Sequence, residues 1–320
     1  MIVVRFTAHV IASVVVLFGL MAMAVAAQQT GPLVLTSLQS TYSLTSALAQ
    51  DTSVRVENAP MDGARMAAQE RVLFAADLDD LFSSADAVVT IARVWREDRL
   101  YQAARSRNIR IVPIDAARPW DEGAAPVGVR TRPCSQMRGA DNNPCTDEMS
   151  PFVWLSIANG VRMAENIATD LVRLAPEDAE KIQMNLSALV DRLRVLKSEY
   201  DNRFVLLPDP RVFALADEFV YLFGEMGIFV DGTFTKEDVR WTEDDLQAFE
   251  NYLAASGPTI VVHKWEPGQP ILDVITRGGG KLVILDPGDP GLVIGDRLDS
   301  DGYQTILRNN FDALLAALSE

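Results

Sequence analysis

The sequence predicts an α/β protein, built as two four-stranded parallel-sheet lobes joined by a long helix. Three observations predict it. Short β-branched runs recur along the 320 residues, segments of helical length separate most of them, and one long segment carries a single apolar stripe. Continuous apolar strands alternating with helices are the pattern of parallel sheets covered on both faces. The composition, 48% hydrophobic and 23% charged, is that of an ordinary globular chain, long enough to form two linked cores.

Taken in order, residues 1–27 read as a secretory signal peptide. Arg5 supplies the positive start, an apolar run follows, and Ala24, Ala26 and Ala27 offer cleavage before Gln28. No cysteine stands at that point, so a periplasmic protein without a lipid anchor is expected. Cleavage also removes His9 and leaves His263 as the last histidine. The first lobe, 28–157, carries the strand-like runs LVLTS (33–37), SVRVE (53–57), AVVTI (87–91) and IRIVPI (109–114). Near its end Cys134 and Cys145 bracket a polar run. Disulfides persist in exported chains, and a bridge here would close a short loop, contributing about 3 kcal/mol on a chain-entropy argument. A thiol pair ligating a metal is the other reading.

The connecting helices occupy 158–203. From Pro176, apolar residues fall at Ile182, Leu186, Leu189, Leu193, Leu196 and Tyr200, one stripe of a helix. Pro176 suits the first helical position, and Glu177 and Asp178 suit the positive end of the helix dipole. A helix reaching Arg203 would span about 42 Å. With a single stripe, it packs along both lobes of one chain rather than against a second copy, so a monomer is expected. The second lobe, 204–320, has the runs FVLL (204–207), IFV (228–230), TIVV (259–262) and KLVIL (281–285). Gly278-Gly279-Gly280 precedes the last of these and reads as a helix-ending turn.

The acidic balance, 44 Asp+Glu against 29 Lys+Arg, argues against a nucleic-acid partner. Enzyme motifs are missing: there is no GxSxG, no HExxH, no P-loop and no GxGxxG after a strand. The chain therefore does not read as an enzyme.

Several stretches resemble the cluster A-I solute-binding proteins, the periplasmic components of zinc or manganese ABC importers. SADAVVTI (84–91) is similar to that family's strand after an acidic helix, and FVWLSIANGVRMAENIATDL (152–171) to its H-V-W-L-D-P-x-N segment. LDPGD (285–289) is similar to its L-D-P-L-G, and DGYQTILRNNFDALLAAL (301–318) to its terminal helix, with Tyr303 and Asn310 at the matching spacing. The resemblance implies two lobes on one long helix, a divalent metal ion, manganese or zinc, as cargo, and an ABC permease in the inner membrane as partner. It also implies four ligands, most of which this chain lacks. APMDGARMA (59–67) has no His where the first ligand belongs, and Phe152 replaces the second. The third falls at Asp209, or at Pro210 with a shifted gap, and Asp286 matches the fourth.

Parallel lobes bind ligands beyond the carboxyl ends of their strands. Asp209, after FVLL, and Asp286, after KLVIL, are expected there as metal ligands, and carboxylates suit Mn²⁺ better than Zn²⁺. Asp141, Asp147 and Glu148 could add oxygens. Arg65, Arg93, Trp95 and Arg211 are further cleft candidates beside Phe152. Guanidinium groups bind carboxylate and phosphate, so the alternatives are a degenerate relative binding an anionic organic ligand or a metal chelate, or an accessory protein-binding module. Trp154 and Trp265 read as core or lobe-interface aromatics, and His263 as a hydrogen-bonded strand-end residue.

Overall fold

The computed structural model describes residues 31–120, 125–133, 148–257 and 259–319. The expected leader and the cysteine pair, with Asp141 and Asp147, lie outside them.

The first lobe is a parallel sheet of order β2-β1-β3-β4, made of β1 (Leu33–Thr36), β2 (Arg55–Asn58), β3 (Ala87–Thr90) and β4 (Val112–Asp115). The central strands β1 and β3 are buried at every position, as their unbroken apolar runs require. Helices α1 (Gln39–Leu48), α2 (Gln69–Leu73), α3 (Asp79–Ser84) and α4 (Leu100–Arg107) cover the sheet. The last strand starts later than its run of apolar residues: Ile109 is exposed and lies in a turn.

Two helices leave this lobe. α5 (Ile157–Leu174) begins at Ser156, whose hydroxyl accepts the Asn159 N–H at 3.1 Å as an N-cap. A 3-10 turn over Pro176–Asp178, with its proline at the start, leads into α6 (Ala179–Phe204). At 26 residues, α6 is about 39 Å long. Its buried stripe holds Ile182, Leu189, Leu193, Leu196, Tyr200 and Phe204, with Leu186 half-buried.

The second lobe repeats the topology with order β6-β5-β7-β8: β5 (Arg211–Ala214), β6 (Phe229–Thr233), β7 (Ile260–His263) and β8 (Lys281–Ile284). Helices α7 (Val220–Met226), α8 (Glu243–Ser256) and α9 (Gln269–Arg277) link these strands. One expected strand is corrected. FVLL closes and follows α6, with Val205 and Leu206 exposed, and the strand begins only after Pro208-Asp209-Pro210. α9 stops at the glycine triplet, where Gly279 adopts φ 74°, a left-handed turn that glycine enters without steric cost. A small hairpin, β9 (Val293–Ile294) with β10 (Arg297–Leu298), precedes α10 (Gly302–Leu318).

Three apolar clusters hold this together. One lies on the outer face of each sheet, around Phe82 and Leu100 in the first lobe and Phe213 and Phe249 in the second. The largest runs through both lobes, joining Val34 and Val89 to Val262 and Val283 through α5, α6 and α10. The lobes are therefore two sheets on one shared core.

Candidate functional site

The carboxyl ends of both sheets open on one side, and a cavity of about 470 Å³ lies between them. Arg65, from the loop after β2, and Phe152 wall it on the first-lobe side. Glu218, Lys264, Asp286 and Asp289 wall it from the second, each leaving the carboxyl end of a strand: β5, β7 and, for both aspartates, β8.

Asp286 is the most firmly built of these. Its backbone N–H donates to Asn310 Oδ1 at 2.8 Å, and Asn310 Nδ2 donates back to its carbonyl at 2.7 Å. Oδ1 accepts the Gly288 N–H at 2.7 Å. Behind it, Trp154 Nε1 donates to the Pro287 carbonyl at 2.9 Å, and Tyr303 Oη donates to the Trp154 carbonyl at 2.8 Å. Burial pushes the Asp286 carboxyl above the usual range, against the Gly288 hydrogen bond. Asp289 is also pushed up by burial, and its Oδ1 accepts the Met66 N–H at 2.8 Å, a contact across the cleft. Glu218, only 6% exposed, is paired with the Lys264 ammonium, and burial outweighs that pairing to raise its pKa.

Of the residues named from the sequence, Arg65 and Phe152 line this cavity with Asp286; Asp209, Arg211, Arg93 and Trp95 do not. Asp209 precedes β5 instead of following a strand, so it sits at the opposite edge of the sheet from Asp286. There it is exposed and paired with Arg211 Nε at 2.6 Å, while Arg211 Nη1 reaches Asp231 at 2.8 Å. The expectation that Asp209 joins Asp286 in the cleft is thus corrected, and Arg211 goes with it. The Arg93 side chain is exposed while its N–H donates to Asp115 at 2.9 Å, and Trp95 is buried in the core. Glu148 lies 3.9 Å from Arg132 Nε.

His263 is a strand-end residue with both ring nitrogens engaged. Nδ1 accepts the Lys264 N–H at 2.9 Å and Nε2 lies 3.1 Å from Asp238 Oδ1. Burial lowers its pKa, so the neutral ring that donates from Nε2 fits. Trp154 is core, but Trp265 is 40% exposed, lines the cavity and donates to Asp238 Oδ2 at 2.8 Å. Among the described residues no group of three or more His, Cys, Asp or Glu stands close enough together to hold a metal ion.

Two parallel α/β lobes on a shared core, a long bracing helix and a cleft at the strand ends define the class of two-lobe solute-binding proteins. Residues 34–317 match the ZnuA family, described as zinc-uptake complex component A, periplasmic, and the chain belongs to that family. Among solved structures, FpvC of Pseudomonas aeruginosa in complex with Ni²⁺ superposes with a TM-score of 0.70 at 20% identity, covering 91% of this chain and 97% of that one. The Zn(II)-bound ZnuA-like domain of Streptococcus pneumoniae AdcA gives 0.68 at 16% identity, over 91% and 100%. At these identities the likeness is one of fold.

The metal ABC transporter substrate-binding lipoprotein SsaB of Streptococcus sanguinis is 31% identical over 181 residues, 53% of this chain and 56% of that protein. The manganese ABC transporter substrate-binding lipoprotein ScaA of Streptococcus gordonii is 29% identical over the same shares. The chain thus spans about half the length of the curated relatives it matches. These relatives are lipoproteins, which overturns the expectation of a protein without a lipid anchor.

Proposed function

We propose that this chain is the extracytoplasmic solute-binding component of a metal ABC importer, exported by a leader over residues 1–27 and acting as a monomer that delivers cargo to a membrane permease and its ATPase. The observation that carries the reading is an interlobe cavity at the strand carboxyl ends whose wall includes Glu218, Asp286 and Asp289. All three supply oxygen, so Mn²⁺ is the preferred cargo, ahead of Zn²⁺, which favours nitrogen and sulfur. Water and carbonyl oxygens complete the shell.

A second reading is favoured by a specific feature. Arg65 and Lys264 lie among the carboxylates and Phe152 is apolar, so the cavity also suits a metal arriving inside an organic chelate. Calorimetry on chelator-stripped protein separates the two. The first expects heat with manganese chloride, lost at least tenfold in Asp286→Ala and unchanged in Asp209→Ala. Heat with ferric citrate but with no aqua ion supports the second. Silence with every metal salt and with the citrate complex sinks both.

A further inference from the structure

Lys264 occupies an unusual place. It leaves the carboxyl end of β7, the strand flanked by β5 and β8, so its side chain emerges between Glu218 and the Asp286–Asp289 loop. Its ammonium pairs with Glu218 Oε1 and lies 4.5 Å from the centroid of the Trp265 ring. The backbone beneath it is fixed, because His263 and Trp265 on either side both bond Asp238. The four-carbon stem is not: the Lys264 side chain is 26% exposed and has a way out to solvent.

The other oxygen of Glu218 carries the argument. Oε2 is fully enclosed and has no hydrogen-bond partner among the described residues, on a side chain only 8% exposed. A buried carboxylate oxygen left unpaired is costly. The acid is held in the cavity wall with this oxygen unpaired, and the ammonium on its other oxygen supplies the positive charge it contacts.

We propose that Lys264 is a tethered cation that holds the cargo position at Glu218 in the cargo-free cleft, and that a divalent ion binds there by displacing it. The inference rests on the metal reading above. Two cations drawn to one buried carboxylate repel each other, and a divalent ion attracts it about twice as strongly as an ammonium at equal distance. The lysine therefore sets a threshold: an ion stays only if Glu218, with water and the other oxygens of the cavity, holds it better than Glu218 holds the ammonium. It also supplies a built-in competitor that returns to Glu218 as cargo leaves, which favours release.

The test is titration of the full chelator-stripped chain with manganese chloride, comparing wild type with Lys264→Gln and Lys264→Met. Glutamine keeps a hydrogen-bond donor for Glu218 should methionine, which leaves that acid unpaired, fail to fold; circular dichroism reports folding. Arg65→Gln removes an equal charge from the same cavity without any ion pair to Glu218, and so measures the effect of net charge alone. Displacement predicts affinity at least tenfold tighter in Lys264→Gln than in wild type, and less than threefold tighter in Arg65→Gln. Binding that appears only in the Lys264 variants also supports it. If wild type binds and Lys264→Gln gains no more than Arg65→Gln, the displacement proposal is wrong and the metal reading stands. If every folded protein is silent, the metal reading fails and takes this inference with it.

Discussion

Asp98 illustrates how one side chain can join two elements at an electrostatic cost. Its carboxylate accepts the Ile91 N–H at 2.8 Å, just beyond β3, and the Leu100 N–H at 3.1 Å, at the start of α4. Burial nevertheless drives its pKa up to about 6, with the nearby Asp115 charge adding to the rise. The folded state therefore holds the proton more tightly than the unfolded chain does. Stability from this group is present below about pH 4 and is lost as pH rises to about 6, a change on the order of 3 kcal/mol. A carboxamide cannot titrate, so Asp98→Asn should gain that amount relative to wild type between about pH 4 and pH 7, measured by urea unfolding. A wild type and variant with parallel pH profiles would refute the assignment. Little of this was legible beforehand, because an aspartate in VWREDRL has the composition of a solvated turn, and only the fold encloses it. The same holds for Glu218 and Lys264, whose role depends on which strands lie side by side.

At the scale of the element, α6 was the easiest to read and its end the hardest. A stripe repeating at helical spacing requires one face to be covered, and Leu193, fully buried, lies on it while Val195 is 68% exposed. Leu193→Ala should cost about 2–5 kcal/mol and Val195→Ala stay within about 0.5 kcal/mol, both by denaturant unfolding; comparable losses would mean the stripe is misassigned. FVLL failed because an apolar run does not say which element it belongs to. Phe204 completes the helix stripe, Val205 and Leu206 face solvent, and two prolines at 208 and 210 delay the strand to Arg211. That shift of a few residues carried Asp209 from the cleft edge of the sheet to the opposite one. LDPGD fared better, since KLVI, just before it, does form a strand, and Asp286 follows that strand's carboxyl end into the cavity wall.

For the whole molecule, the two lobes are bound as one body by polar contacts as well as by the shared core. Gln39, at the start of α1 and 1% exposed, donates from Nε2 to the Asp299 carbonyl at 2.7 Å and accepts the Leu292 N–H at 2.9 Å. Gln39→Leu strands the Leu292 N–H, while the Asp299 carbonyl keeps the Gly302 N–H at 3.0 Å, and should cost about 1–3 kcal/mol. Because the core is continuous, fluorescence and circular dichroism should still report one coincident unfolding transition in that variant. Two separated transitions would contradict a common core. The architecture was legible from strand runs and one helix, whereas this continuity was not, since nothing in a local pattern tells which faces of distant segments meet. The continuity also imposes an order of assembly. Each sheet comes from one uninterrupted stretch, the first closing by residue 115, yet α10 places Tyr303, Leu307, Phe311 and Leu314 in the middle of the common core. A chain folding from its amino end can complete its first sheet early and must wait for its last helix, which acts as the keystone, before either lobe is sealed.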